Sequence, residues 1–210
     1  MNKGISMYGI NKAKYGTHRL IAEEILPGRT VLDIGCNRGY LKTFAEDNIF
    51  YGIDDNADAL QEAKKNGYAQ VYQLDLNRYD LFRLQESFDV IVCADILEHL
   101  KYPEKVLGFF VSTCLKKDGI VIISLPNIAH ISVRIGLLLG NFSYVESGIM
   151  DKTHLHLYTS RTGRQLAERC NLEVVKEKFS SNHFGAVIRA CPFIGSILGY
   201  NLIFVCKKKY

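Results

Sequence analysis

Five short apolar runs recur at close intervals along the first part of the chain: Thr30–Ile34, Ile49–Ile53, Gln70–Leu74, Phe88–Cys93 and Gly119–Ser124. Stretches of helical character separate them, at Tyr40–Asp47, Ala57–Asn66 and Pro103–Leu115. Alternation of this kind builds parallel strands joined by crossover helices. Val31-Leu32-Asp33-Ile34 and Val90-Ile91-Val92-Cys93 are apolar at nearly every position, which suits strands covered by helices on both faces. The third helix carries its own punctuation, with Pro103 at its start and Lys116, Lys117 and Gly119 at its end. Cations and a flexible residue there complement the terminal carbonyls.

The pattern changes after Ser124. Pro126-Asn127 stops the fifth strand, a short apolar helix is expected over Ala129–Leu139, and residues 140–158 read as irregular. Connections this long in a compact domain are commonly binding segments, so 140–158 is the expected substrate loop. A helix over Ser160–Cys170 and strands over Leu172–Phe179 and Leu202–Cys206 complete an expected α/β fold, a doubly wound, Rossmann-like seven-stranded sheet, mostly parallel with an antiparallel last strand. No pattern assigns Ser180–Tyr200. Residues 1–28 are expected to form an N-terminal cap around an amphipathic helix over Lys14–Leu26. No repeat or flexible linker interrupts the 210 residues, so 1–210 is read as a single domain.

Lys and Arg number 26 against 22 Asp and Glu, a net charge of +4 spread along the chain, so a nucleic-acid partner is not expected. No apolar run reaches the roughly 18 residues of a membrane span, and Met1–Tyr15 lacks the apolar core of a secretory signal. A cytoplasmic protein is expected. The six cysteines include no CxxC pair, and Cys36, Cys93, Cys114 and Cys206 lie in or beside apolar runs, where cysteine acts as a small hydrophobe. Phe193–Cys206 followed by three lysines reads as a buried strand with a solvated tail in preference to a membrane contact.

Val31 to Leu41 runs from a buried strand through a turn, Gly35-Cys36-Asn37-Arg38-Gly39, into a helix. Glycines let the backbone approach a ligand, and the helix offers its N-terminus. Asp54 ends the second strand 21 residues after Asp33, a spacing at which a carboxylate accepts hydrogen bonds from ribose hydroxyls. Together these residues point to an adenosine-containing ligand. The glycines are spaced GxxxG rather than GxGxxG, and Asp33 stands beside the turn. Both facts disfavour a dinucleotide diphosphate and suit a cation such as S-adenosylmethionine.

These residues resemble the first motif of class I S-adenosylmethionine-dependent methyltransferases. Tyr51–Asp54, Tyr72–Leu76, Phe88–Leu100 and Leu115–Gly119 resemble further motifs in the same order. The resemblance implies S-adenosyl-L-methionine as cofactor, bound by Asp33, Gly35, Cys36, Asn37, Gly39, Asp54, Asp55, Asp75, Leu76 and Ala94. It places Asp54 on the ribose and Asp75 beside the adenine amino group. Many members have glycine or alanine where this chain has Asn37, so Asn37 is expected in a left-handed conformation, which asparagine tolerates. Ser124–His130 and Gly148–Thr159 are similar to a bacterial subgroup related to methionine-biosynthesis W-type and ubiquinone-biosynthesis methyltransferases, often linked to surface-glycan clusters. In that family an N-terminal segment often covers the cofactor, which implies a lid over Tyr8–Tyr15.

The ligand crevice of a doubly wound sheet lies at the carboxyl ends of its strands. That rule collects Asp95, His99, Asn127, His130, Asp151, His154 and His156. His154 is the expected general base, oriented by Asp151 three residues earlier, and His130 is a further catalytic candidate. Asp151, His154 and His156 also invite a metal reading, but no further ligand signature accompanies them and no metal is expected. The expected reaction is O- or N-methylation of a small-molecule, glycan or lipid-linked acceptor. The alternatives are a non-catalytic module that binds S-adenosylmethionine or S-adenosylhomocysteine and, behind it, an NAD(P)-dependent oxidoreductase.

Overall fold

The structure, a computed structural model, describes residues 13–209. Strands β1 (Thr30–Ile34), β2 (Ile49–Asp54), β3 (Gln70–Gln73), β4 (Phe88–Ala94), β5 (Leu115–Pro126), β6 (Leu172–Ser180) and β7 (Asn201–Lys208) form one sheet in the order β3-β2-β1-β4-β5-β7-β6. The first five pair in parallel, and β7 runs antiparallel to both β5 and β6. This is the expected doubly wound sheet with an antiparallel last strand.

Successive residues of a strand point to opposite faces, and both faces are apolar. On one, α1 (Thr17–Ala22) and α2 (Ala57–Lys65) bury Leu20, Ile21, Leu60 and Ala63 with Val31, Val90, Val92 and Ile122. On the other, α3 (Pro103–Cys114) buries Val106, Leu107 and Phe110 with Leu32, Ile91 and Ile123. Helix α3 contains Gly108, which costs about 1 kcal/mol in a helix interior. Full burial of Leu107 and Phe110 contributes about 1.5–3 kcal/mol each, so packing outweighs propensity. Beyond β5 come α4 (Ile131–Leu138), which buries none of its residues, and α5 (Ser160–Arg169), whose Leu166 and Ala167 join the α3 face. Among the described residues no helix is long and apolar enough to cross a membrane.

Several local expectations need correction. The helix expected over Tyr40–Asp47 is a 3-10 turn, Tyr40–Phe44. The chain has only nine residues between Gly39 and the start of β2 at Ile49, and a 3-10 turn advances further per residue than an α-helix. Lys42 Nζ bonds the carbonyls of Glu46 (2.5 Å) and Asn48 (2.6 Å) at its far side. Lys116 and Lys117 do not close α3, because β5 already begins at Leu115. Lys116 instead reaches Asp89 at the start of β4, 3.0 Å away. The helix expected over Lys14–Leu26 is confined to Thr17–Ala22; Pro27 disfavours a helical Leu26, and Lys178 bonds the Leu20 carbonyl at 3.1 Å.

Residues 140–158 contain neither helix nor strand; the isolated bridge Val145↔Asp151 closes the segment on itself, and the bridge Asn127↔Tyr158 ties its end to the end of β5. The unassigned Ser180–Tyr200 connection folds into α6 (Gly185–Ala190), a 3-10 turn over Pro192–Ile194, and α7 (Gly195–Leu198). Of the expected lid over Tyr8–Tyr15, residues 8–12 lie outside the described residues.

Candidate cofactor and acceptor site

Parallel pairing brings the ends of β1, β2, β3 and β4 to one edge of the sheet. The connection after β1 crosses toward β2 and that after β4 toward β5, which opens a crevice between them. Gly35 (φ 75) and Gly39 (φ 72) in the turn after β1 are left-handed. A Cβ on Gly35 would lie 2.5 Å from the Ile96 side chain, and one on Gly39 2.6 Å from the Tyr68 ring. The Ile96 side chain and the Tyr68 ring thus close against these two glycines, so each position excludes a larger residue. Asn37 is left-handed as expected (φ 47).

Asp54 ties this turn to the end of β2, because the Asn37 amide donates to its Oδ2 (2.8 Å) and the Asn56 amide to its Oδ1 (3.0 Å). Burial raises the pKa of its carboxyl. Asp33 is buried beneath the turn and accepts the Tyr68 hydroxyl at 2.5 Å. Burial pushes its carboxyl up to about 7; Tyr68 opposes the rise and the Asp54 charge adds to it. Neither acid has an ion-pair partner among the described residues. Two desolvated carboxyls acting on each other favour a positively charged ligand. The Cys36 thiol is buried, which raises its pKa, and its sulfur lies where a Cβ on Gly52 would be 2.5 Å away. It packs under the turn as a small apolar group.

The other expected cofactor residues share this edge. Asp55 is exposed, and its carbonyl accepts Gln73 Nε2 at 3.1 Å. Asp75 is exposed and caps the following 3-10 turn by accepting the Asn77 amide at 2.9 Å. Leu76 is buried, and Ala94 is half-buried at the end of β4. Asp95 follows it in a left-handed conformation, φ 52, which costs a non-glycine residue about 1–3 kcal/mol. Its Oδ1 accepts Ser124 Oγ at 2.5 Å and Asn201 Nδ2 at 2.8 Å, joining β4, β5 and β7.

His130 caps α4, its Nδ1 accepting the Ser132 amide at 3.2 Å. The Leu198 carbonyl faces the same ring, and burial lowers its pKa. The buried Asp151 accepts the Thr153 amide (2.8 Å) and hydroxyl (2.7 Å) on Oδ1. Its charge also raises the affinity of His154 for a proton. His154 places Nδ1 3.1 Å from the Ile149 carbonyl and Nε2 4.0 Å from Glu98 Oε1. Burial, then the neighbouring His99, lowers its pKa. The His99 and His154 rings meet edge-on at 4.8 Å. His156 lies against Tyr158 instead, with ring centroids 6.2 Å apart. The fold therefore gathers Glu98, His99 and His154, rather than Asp151, His154 and His156.

Sequence reasoning missed Tyr68, which donates to Asp33, and His18 of α1, whose pKa burial lowers against the charge of Asp95. Tyr68 follows Gly67 in a turn, where no periodicity marks it. Two clefts of 520 and 510 Å³ lie elsewhere, one between α1, β6 and α6, the other at the starts of β4 and β5.

The sequence profile of the methyltransferase domain family matches residues 10–177, most of the chain, including the turn after β1 and the ends of β2, β3 and β4. The chain belongs to this family, the class I S-adenosylmethionine-dependent methyltransferases. The ubiquinone biosynthesis O-methyltransferase of Glaesserella parasuis serovar 5 (strain SH0165) is 34% identical over 110 residues, which cover 48% of this chain and 46% of that protein. The chain thus spans about half the length of the curated relatives it matches. Among solved structures, a Thermotoga maritima S-adenosylmethionine-dependent methyltransferase, possibly a histamine N-methyltransferase, superposes with a TM-score of 0.64 at 16% identity, covering 91% of this chain and 87% of that one. Magnesium protoporphyrin IX methyltransferase from Synechocystis PCC 6803, crystallised with bound S-adenosylhomocysteine, gives 0.60 at 18% identity, covering 90% and 78%.

Proposed function

We propose that this methyltransferase O-methylates a small or lipid-linked acceptor, glycan-type acceptors included, with S-adenosylmethionine bound across the turn after β1 and Asp54. The observation that carries the cofactor assignment is the Asp33–Asp54 pair, two desolvated carboxyls without an ion-pair partner among the described residues beneath a left-handed glycine turn. Oxygen is the favoured acceptor atom because the curated relatives are O-methyltransferases. A lipid-linked acceptor is supported by the exposed Leu137, Leu138, Leu139 and Phe142 beside the crevice. The six free cysteines fit a cytoplasmic location.

In the reaction the acceptor oxygen attacks the sulfonium methyl in line. A C–O bond forms, the S–CH3 electron pair stays on sulfur, and S-adenosylhomocysteine leaves. The hydroxyl proton goes to His154 Nε2, since Nδ1 faces the Ile149 carbonyl. The test is transfer of labelled methyl to a panel of phenols, polyprenyl phenols and glycans. Activity on hydroxyl acceptors, reduced about 100-fold or more in His154→Ala with cofactor affinity intact, is expected. Methylation only at nitrogen, or full activity of the variant, overturns the reading.

A further inference from the structure

The cleft between α1, β6 and α6 lies outside the crevice and has a volume of 520 Å³, within the range of small-molecule sites. Tyr15, Leu20, Phe179, Ile188 and Pro192 give it an apolar floor. Contacts within the protein already hold its walls. The Tyr15 ring packs where a Cβ on Gly185 would stand, the Tyr15 carbonyl accepts the Ser181 amide at 3.0 Å, and Lys178 Nζ bonds the Leu20 carbonyl at 3.1 Å. Four cations and three carboxylates share the lining. All three carboxylates are engaged: Glu24 with Lys176 (2.8 Å) and Lys178 (3.0 Å), Glu23 with Lys178 (2.6 Å), and Glu177 with Arg164. The other two cations, Lys14 and Arg189, have no ion-pair partner among the described residues. Residues 1–12 include Lys3 and Lys12 but neither Asp nor Glu, so they bring no carboxylate to either cation.

We propose that this cleft binds a small molecule bearing one carboxylate or phosphate group on an apolar body, at a second site apart from the methyl-transfer crevice. The apolar body covers Leu20, Phe179 and Ile188, and the anion pairs with Lys14 and Arg189. A guanidinium offers paired donors to either kind of anion, and the uncompensated positive charge of the lining attracts it. A neutral ligand would strip water from both cations and give nothing in return. The site also bears on the cofactor. Leu20 of α1 faces the cleft, while His18 of the same helix stacks on Phe44 at 6.2 Å and Arg19 lies over that ring at 5.6 Å. Phe44 belongs to the 3-10 turn that follows Gly39. Helix α1 therefore stands between the cleft and the cofactor turn, and a ligand that restrains it in the cleft changes the affinity of the turn for S-adenosylmethionine. This consequence, unlike the binding itself, rests on the reading of that turn as the cofactor site.

Calorimetric titration with octanoate, octyl phosphate, 1-octanol and inorganic phosphate, without S-adenosylmethionine or acceptor, tests the site independently of methyl transfer. One octyl anion per chain is expected, with a Kd of about 100 μM or below, and the two arms decide between carboxylate and phosphate. Octanol and inorganic phosphate should bind about tenfold or more weakly than the better anion. Lys14 and Arg189 are exposed, so Lys14→Glu and Arg189→Glu leave the fold intact and should each weaken anion binding about tenfold or more. Absence of binding by both octyl anions, octanol binding as tightly as the anions, or affinity unchanged in both variants overturns the proposal; the last outcome assigns the ligand to the acceptor crevice. With the cleft saturated, the Kd of S-adenosylmethionine should shift about fivefold or more. An unshifted Kd with the octyl anion bound overturns the coupling. Failure of S-adenosylmethionine to bind with or without the anion instead refutes the cofactor reading, while the cofactor-free titration still decides the site.

Discussion

The titration of Asp33 makes a quantitative prediction about cofactor binding. Its carboxyl is pushed up to about 7 by burial, so near neutral pH the empty crevice exists in both charge states. A cationic ligand binds the ionised form, and the apparent Kd is multiplied by the factor 1 + 10^(7 − pH). That factor is about 1.1 at pH 8 and about 11 at pH 6, a roughly tenfold weakening. The ligand's own amino group titrates near the same range, so the informative quantity is the ratio of the two Kd values for unaltered protein and Asp33→Asn. The amide keeps an oxygen for the Tyr68 hydroxyl, which donates to Asp33 Oδ2, while removing the titrating charge. Calorimetry with S-adenosylmethionine at pH 6, 7 and 8 should show the advantage of the unaltered protein growing about tenfold from pH 6 to pH 8. A ratio independent of pH refutes the argument that this desolvated carboxyl attracts the sulfonium ligand. The same raised pKa opposes folding as pH rises from about 4 to 7, because the folded state then holds a proton that the unfolded chain has lost.

Asp54→Ala removes a carboxylate that bonds the Asn37 and Asn56 amides; S-adenosylmethionine affinity should fall by about 1.5–3 kcal/mol, and unchanged affinity contradicts its assignment. Gly39→Ala puts a side chain at φ 72, 2.6 Å from the Tyr68 ring, and should lower unfolding stability by about 2–4 kcal/mol in urea melts. Asp89 has the opposite electrostatic sign to Asp33. Bonds from Thr30 and Lys116 lower its pKa to about 2 despite burial, so its stabilisation is present above about pH 4 and is lost as pH falls through 2. Asp89→Asn should therefore cost about 2 kcal/mol at pH 7, with the difference from the unaltered protein shrinking steadily below pH 4 and vanishing only below pH 2.

The sheet was legible because its strands are buried on both faces: Val31–Ile34 and Val90–Cys93 allow few other structures. The turn after β1, with Asp54 beyond it, was legible through spacing. Contacts between distant segments were not. Glu98 and His154 are 56 residues apart in sequence and meet only because residues 140–158 fold back on the end of β4, where the amides of Leu155 and His156 bond the Glu98 carbonyl. Nothing in the pattern of that segment sets its path. Asp151 stands close to His154 in sequence, yet it points Oδ1 at Thr153, because a short Asx turn satisfies a carboxylate locally. The extent of the 3-10 turn after Gly39 depended on where β2 pairs, again a tertiary constraint.

The central claim is that the crevice after β1 is built for a sulfonium nucleoside. Its most direct test is calorimetric titration of one protein preparation with S-adenosylmethionine, S-adenosylhomocysteine and the oxidised nicotinamide cofactors. Micromolar binding of the first two, with no heat from the nicotinamides, is the predicted result. Binding of a nicotinamide dinucleotide alone would contradict the account and return the turn Gly35–Gly39 to the role of a diphosphate loop.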